Sequence, residues 1–235
     1  LGNNCFNLTP RDTSLKISHR LQKIDSFIVK HYEHIWDCCC DHGFLGLHLL
    51  ERQAADTVHF SDTVEHILIN LKNQLEQCHN IPPSTWQTHC QDAATLDLYS
   101  TSQGVKNPQL IIIAGVGGEL TISLVTALLK SNPDLELEFL LCPVHHNYKV
   151  RQALINLELG LINECLLTEN KRFYEVIHVS RQAKTPISKV GSIMWDLSRA
   201  IDSAYLKATI GHYQRMGKNN GEVKVIIENY QALLG

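Results

Sequence analysis

What this sequence lacks narrows it before any residue is given a task. No CxxC pair occurs, although eight cysteines are spread over 235 residues, so a structural zinc site of the usual spacing is not written into the chain. Cys38, Cys39 and Cys40 are consecutive, and the other five are scattered. Neighbouring side chains on a strand point to opposite faces, so the run of three cannot converge on one ion. They read as small buried hydrophobes in a reducing compartment. No apolar run approaches the roughly 18 residues that a membrane span needs. Leu1 to Pro10 lacks the basic-then-apolar pattern of a secretory leader, and a soluble cytoplasmic protein is expected. There is no GxSxG elbow and no phosphate-binding GxxxxGK[ST] loop. GxGxxG is also missing: Gly43 and Gly46 supply only GxxG. A dinucleotide needs that glycine-lined turn for its pyrophosphate, so an NAD-dependent oxidoreductase is disfavoured.

A strong net charge is absent too, at −3 overall, but its distribution is uneven. Residues 1–30 carry +3 and residues 182–235 carry +3, leaving −9 for the middle. Basic ends around an acidic centre fit an RNA-gripping periphery about a small-molecule pocket, or two solvated helical ends.

Apolar residues at Ile17, Leu21, Ile24, Phe27 and Ile28 predict a helix over 17–29, capped by Ser14 or Ser18. Ile35 to Cys40 is a short buried strand, stopped by Asp41-His42-Gly43, with helical character resuming from Phe44 to Leu50. Thr57 to Ser61 reads as a second strand ending at Asp62, followed by a helix through Ile67, Leu71 and Leu75. Thr85 to Cys90 is a third, finishing at Gln91-Asp92. Leu110 to Ala114 is the strongest strand; it runs into Gly115-Val116-Gly117-Gly118 and a helix from Leu120 to Leu129. Leu137 to Cys142 is a fifth strand, and a helix spans Val150 to Leu157. The last strands, 161–167 and 173–179, are so closely linked that they must form an antiparallel hairpin. Strands alternating with helices give a doubly wound parallel sheet. Ending it on a hairpin is the α/β, seven-stranded, Rossmann-like arrangement of class I methyltransferases. The expected division is a methyltransferase domain over 1–181 and a helical or coiled-coil appendage over 182–235, where Ile193, Leu197, Ile201, Tyr205 and Leu206 recur at helical spacing.

In an open parallel sheet, ligands bind beyond the carboxyl ends of the strands where strand order reverses. There, Gly43 lets backbone approach a ligand, and the free amides of the next helix suit a carboxylate. Asp41 or Asp37 is placed to hold an ammonium. Asp62, at the second strand tip, can accept from both ribose hydroxyls, and Asp92, at the third, from an adenine amino group. Three glycines among Gly115 to Gly118 bring backbone close to a bound group or to a packed neighbour. Trp36 and Trp86 read as core. His145-His146 lacks a third ligand at suitable spacing, so no metal is expected.

With these motifs in view, the chain resembles the bacterial tRNA (adenine-22, N1)-methyltransferases, the TrmK family. The resemblance rests on Ile17-Ser18-His19-Arg20-Leu21, on Asp37-Cys38-Cys39-Cys40-Asp41-His42-Gly43-Phe44-Leu45, on Ile113-Ala114-Gly115-Val116-Gly117-Gly118, and on Phe173-Tyr174-Glu175-Val176. Cys142-Pro143, with Asn147 displaced, weakly echoes the family's Gln-Pro-Asn. Cys39 replaces the motif glycine, Gln109 an acid, and Val116 a methionine; Cys39 is expected to narrow the space beside the cofactor. The resemblance implies S-adenosyl-L-methionine held by Arg20, Asp37, Asp41, Gly43, Asp62, Asp92, Ala114 and Gly115. It implies a pocket faced by His42, Gly115 and Gly117, and tRNA contacts from Phe44, Tyr148, Lys149 and Arg151, with Phe44 or Tyr148 stacking the base. The adenine N1 lone pair attacks without a strong base, so positioning and desolvation carry the rate. The base must leave its stack to be reached. A monomer or weak homodimer is expected. A methyltransferase of another substrate and a non-catalytic RNA-binding relic are the alternatives.

Overall fold

A computed structural model describes residues 17–98, 107–217 and 221–234. Seven strands form one sheet: β1 (Tyr32–Cys38), β2 (Ala55–Asp62), β3 (Trp86–Cys90), β4 (Gln109–Ala114), β5 (Leu137–Cys142), β6 (Gly160–Glu169) and β7 (Arg172–Ser180). Their order is β3-β2-β1-β4-β5-β7-β6, with β7 antiparallel to both its neighbours and the rest parallel. Strand order reverses between β1 and β4, as the class I reading requires.

β4 shows why the centre is where it is. All of Gln109 to Ile113 is buried, because a parallel strand covered on both faces reads as an unbroken apolar run. Leu110 and Ile112 pack on one face with α1 (His19–Asp25), α2 (Phe44–Glu51) and α3 (Glu65–Gln77). Ile111 and Ile113 pack on the other with α4 (Gly118–Ser131) and α5 (Asn147–Asn156). Gln109 is buried because its side-chain oxygen accepts from the Trp36 indole at 2.9 Å; a neutral acceptor stands where the resembled family has an acid.

Both predicted core tryptophans are buried, and the seven described cysteines are free. The β6–β7 turn is only Asn170-Lys171, both at positive φ. That is the conformation whose twist matches a hairpin, and it lengthens both strands beyond the sequence reading. α1 is shorter than the periodicity suggested. Ser18 caps it, accepting from the Leu21 amide at 3.3 Å, and Ser26 ends it by donating to the Lys23 carbonyl at 2.7 Å. The alternative cap Ser14 lies outside the described residues.

The C-terminal segment differs more. Helix begins only at α6 (Ala200–Met216), paired with α7 (Gly221–Gln231). Ile193 and Leu197, read as helical, lie in an irregular strap in which Thr185 bridges to Leu161 and Ile187 joins the core cluster that holds α4 and α5. The strap is held by Glu164, which accepts from the Ser192 hydroxyl at 3.0 Å, and by Asp202, which accepts from the Asp196 amide at 2.6 Å. Among the described residues no helix is long and apolar enough to cross a membrane.

Candidate active site

The carboxyl ends of β1, β2, β3 and β4 converge on the loop after β1. Cys39, Asp41 and Gly43 in that loop all have positive φ (59°, 49° and 68°). The coil folds back: the Cys40 amide donates to the Ser61 carbonyl at 3.2 Å, and the Asp41 amide to Asp62 Oδ2 at 3.1 Å. Asp62 Oδ1 accepts from the Val64 amide at 3.0 Å. Asp92 caps the single turn Ala93–Thr95, its Oδ1 accepting from Ala94 at 2.9 Å, and stays exposed. Burial, then the negative fields of Asp62, Asp37 and Asp92, push the Cys39 thiol up to about 11. Three strand-tip carboxylates thus surround one side chain in the motif-glycine position. The left-handed backbone there accounts for a glycine in that position.

Asp37 lies under this loop and is almost wholly buried. Its Oδ2 accepts from the Gly46 amide at 3.1 Å. Desolvation dominates over that bond, and with the charge of Asp62 it raises the carboxyl to about 7. His42 and Phe44 are exposed, their rings 5.7 Å apart at the rim.

The glycines divide into two kinds. A Cβ on Gly43 would come within 2.7 Å of Leu71, and one on Gly46 within 2.2 Å of Phe60. Both are therefore required by packing below the loop. Gly117 likewise faces the His145 ring, which a Cβ would meet at 2.7 Å, rather than a pocket. Gly115 is different. It has φ 82°, and a Cβ there would meet only Arg20 Nη2, at 4.0 Å. Beside Gly115 and Ala114, at the end of β4, lies open space bordered by a guanidinium. Arg20 stacks on Tyr174 at 5.0 Å, lies 3.9 Å from Glu169, and has a buried Nε with no hydrogen-bond partner.

Two expected tRNA contacts are overturned. Arg151 has no exposed surface and bonds to Glu164 at 2.6 Å and Glu175 at 2.7 Å. A buried arginine between two carboxylates is committed to holding β6, β7 and the strap together. Tyr148 is buried against the C-terminal helices, its hydroxyl accepting from Asn229 at 2.9 Å, so its ring cannot receive a base. Lys149 remains exposed, 3.8 Å from Glu119. Glu119, in the first turn of α4, escaped the sequence reading. An acid directly after the glycine loop was its only signal, and the fold brings it to His145 and His146.

A separate cleft of about 460 Å3 opens at the other end of the sheet, lined by Lys30, Tyr32, Asp56 and Asn107 among others. Lys30 and Tyr32 are both engaged by Glu138, at 2.7 Å each. The amino ends of parallel strands are also the wrong end for a ligand site of this fold.

With this geometry in hand, comparison with known proteins is direct. A family model described as a methyltransferase domain matches residues 17–177. The chain belongs to that methyltransferase family. The match runs from Ile17 to Ile177, so it includes β1 to β6, the first part of β7 and the loops just described. No curated protein matches the chain by sequence. Among solved structures, this methyltransferase is similar to the Streptococcus pneumoniae Sp1610 protein in complex with S-adenosyl-L-methionine (TM-score 0.75, 19% identity, covering 94% of this chain and 100% of that one). It is similar to TrmK of M. capricolum in complex with S-adenosyl-homocysteine (0.73, 14%, 92% and 97%). It also resembles the B. subtilis M1A22 tRNA methyltransferase TrmK (0.67, 20%, 93% and 96%). At these identities the likeness concerns the fold, which extends over the C-terminal helices as well as the sheet.

Proposed function

We propose that this methyltransferase uses S-adenosyl-L-methionine to methylate tRNA at N1 of an adenine of the position-22 type. The observation that carries the cofactor is the set of carboxylates gathered at three strand tips around Cys39. An acid-lined site repels a pyrophosphate and attracts a ligand carrying an ammonium, a sulfonium and ribose hydroxyls. Asp62 keeps lone pairs for the ribose beyond its bonds to Asp41 and Val64. Asp92 faces the adenine end, and Asp37 or Asp41 the ammonium. The guanidinium of Arg20, whose Nη2 faces Gly115, suits the cofactor carboxylate, and the space beside Ala114 and Gly115 fits the methionine end.

The bound cofactor supplies an electrophilic methyl group. The protein's part is to hold adenine N1 in line with it and to exclude water. No strong base is needed, because N1 attacks with its own lone pair. His42 and Phe44 at the rim suit the entering base, Phe44 by stacking. Lys149 and the basic ends suit tRNA phosphates. The match of the whole fold, C-terminal helices included, to structures named as tRNA methyltransferases supports this substrate over a protein or small molecule. We assign 1–181 as the catalytic unit and 182–235 as the RNA-gripping appendage of a soluble, cytoplasmic enzyme acting as a monomer or weak homodimer. The test is incubation with labelled S-adenosyl-L-methionine and unmodified tRNA, followed by nucleoside mass spectrometry. N1-methyladenosine is expected; bound tRNA that stays unmethylated would establish the relic instead.

A further inference from the structure

One cluster beside the proposed active site has no part in methyl transfer. His146 Nδ1 lies 2.5 Å from Glu119 Oε1, and His145 Nδ1 lies 4.0 Å from Glu119 Oε2. One ligand-type atom from each residue lies within 4.8 Å of the other two. The side chains are 54% (His145), 45% (His146) and 57% (Glu119) exposed, so an ion reaches them directly from solvent. Along the chain the histidine pair stands 26 residues from Glu119. Only the adjacency of β4 and β5 makes a triad of them.

Their positions are held by backbone. The Val144 amide donates to the Val116 carbonyl at 2.9 Å, locking the loop after β5 onto the glycine loop after β4. A Cβ on Gly118 would come within 2.8 Å of the His145 carbonyl, and one on Gly117 within 2.7 Å of the His145 ring. The glycine pair is therefore the seat on which His145 rests. His146 caps α5 at φ 63°, in the left-handed region that non-glycine residues seldom adopt. Backbone strain of this kind gathers at functional sites.

We propose that Glu119, His145 and His146 bind one divalent transition-metal ion of the zinc, cobalt or nickel type. Two imidazole nitrogens and one carboxylate oxygen are the donor set of open three-ligand zinc sites. Magnesium and calcium call for more oxygen ligands than this cluster offers. Three protein ligands leave a coordination position for water or an anionic oxygen, at the edge of the loops where tRNA phosphates would approach. Metal–ligand bonds of about 2.0–2.2 Å place neighbouring donor atoms about 3.3 Å apart. His146 and Glu119 must therefore separate slightly while the exposed His145 ring swings inward. Lys149 Nζ, 3.8 Å from Glu119 Oε1, opposes the ion.

The test is titration of the full chain with Co2+, read by visible absorption. One ion per chain is expected at micromolar concentration, without a thiolate-to-cobalt charge-transfer band. E119Q and H146Q should each weaken binding at least tenfold, and K149M should tighten it several-fold. Melting curves without metal should be unchanged in all three, since the side chains are exposed. A thiolate band would assign the ion to the cysteines and overturn the proposal. So would equal affinity in E119Q and H146Q, or no binding up to millimolar Co2+. In unmutated protein, Co2+ should also broaden the ring-proton resonances of two histidines by NMR, and broadening of none sinks the site independently of any variant.

Discussion

The amide of Asp41 donates to the carboxylate of Asp62 at 3.1 Å, across 21 residues of sequence. This bond ties the loop after the first strand to the tip of the second. A carboxylate oxygen has two lone pairs, so Asp62 orients the loop and still accepts from a ribose. Asp62→Ala should therefore do two things: lower S-adenosyl-L-methionine affinity at least tenfold, and expose the Cys40–Gly43 amides to faster hydrogen exchange. Loss of affinity with unchanged exchange would mean that the loop does not depend on this bond.

Asp37 should make stability depend on pH. Its carboxyl ionises near 3.8 when unfolded and at about 7 when folded, so between those values the folded protein keeps a proton that the unfolded chain has lost. Its contribution is therefore most favourable below about pH 4 and declines as pH rises to about 7. Asp37→Asn keeps an acceptor for the Gly46 amide and should remove that decline. Urea midpoints from pH 4 to 8 would test this; parallel curves for the two proteins would refute it. If Asp37 also meets the cofactor ammonium, calorimetry near pH 6 in buffers of different ionisation enthalpy will show proton release on binding.

Gly115 and Gly117 should respond differently to alanine. Gly115→Ala strains a left-handed residue by about 1–2 kcal/mol and fills the space beside Arg20, so cofactor affinity should fall at least tenfold. Gly117→Ala instead strikes the His145 ring. Adding His145→Ala should restore the cofactor affinity that Gly117→Ala loses, and should not restore that of Gly115→Ala. Equal rescue of both would remove the distinction between a ligand glycine and a packing glycine.

Arg151 should behave as a core residue. Arg151→Met leaves Glu164 and Glu175 buried without their shared partner, at a cost of about 3–5 kcal/mol. A large fall in denaturation midpoint is expected. A stable Arg151→Met protein with weakened tRNA binding would restore the surface role that its burial denies.

Phe44→Ala should reduce methylation of tRNA while leaving cofactor affinity intact, with a loss of about 1–3 kcal/mol if the ring stacks the base. Binding of tRNA should also weaken steeply with salt, and Lys149→Ala should lower the salt slope by about one. Cofactor affinity measured in parallel separates these effects from damage to the pocket.

Most of the fold was legible along the chain because its information is local. Short apolar runs and a spacing near 3.6 marked the strands and helices, and the short link near Asn170-Lys171 required a hairpin, hence this sheet. Asp37, Asp41, Asp62 and Asp92 were legible as strand-tip acids for the same reason. Helix ends were less so, since Ser26 and the strap bonds of Glu164 and Asp202 stop helices that side-chain spacing would continue. Burial was decided only by the tertiary structure. Arg151, Tyr148 and Lys149 lie on one turn of α5, and the packing of β6, β7, the strap and the C-terminal helices buries the first two and leaves the third in water. The meaning of each glycine was decided in the same way. Gly43, Gly46, Gly115 and Gly117 are identical in sequence, and only the neighbours that a Cβ would meet tell a packing contact from an open site. Glu119 joins His145 and His146 because adjacent parallel strands bring their following loops together, and no spacing along the chain encodes that distance.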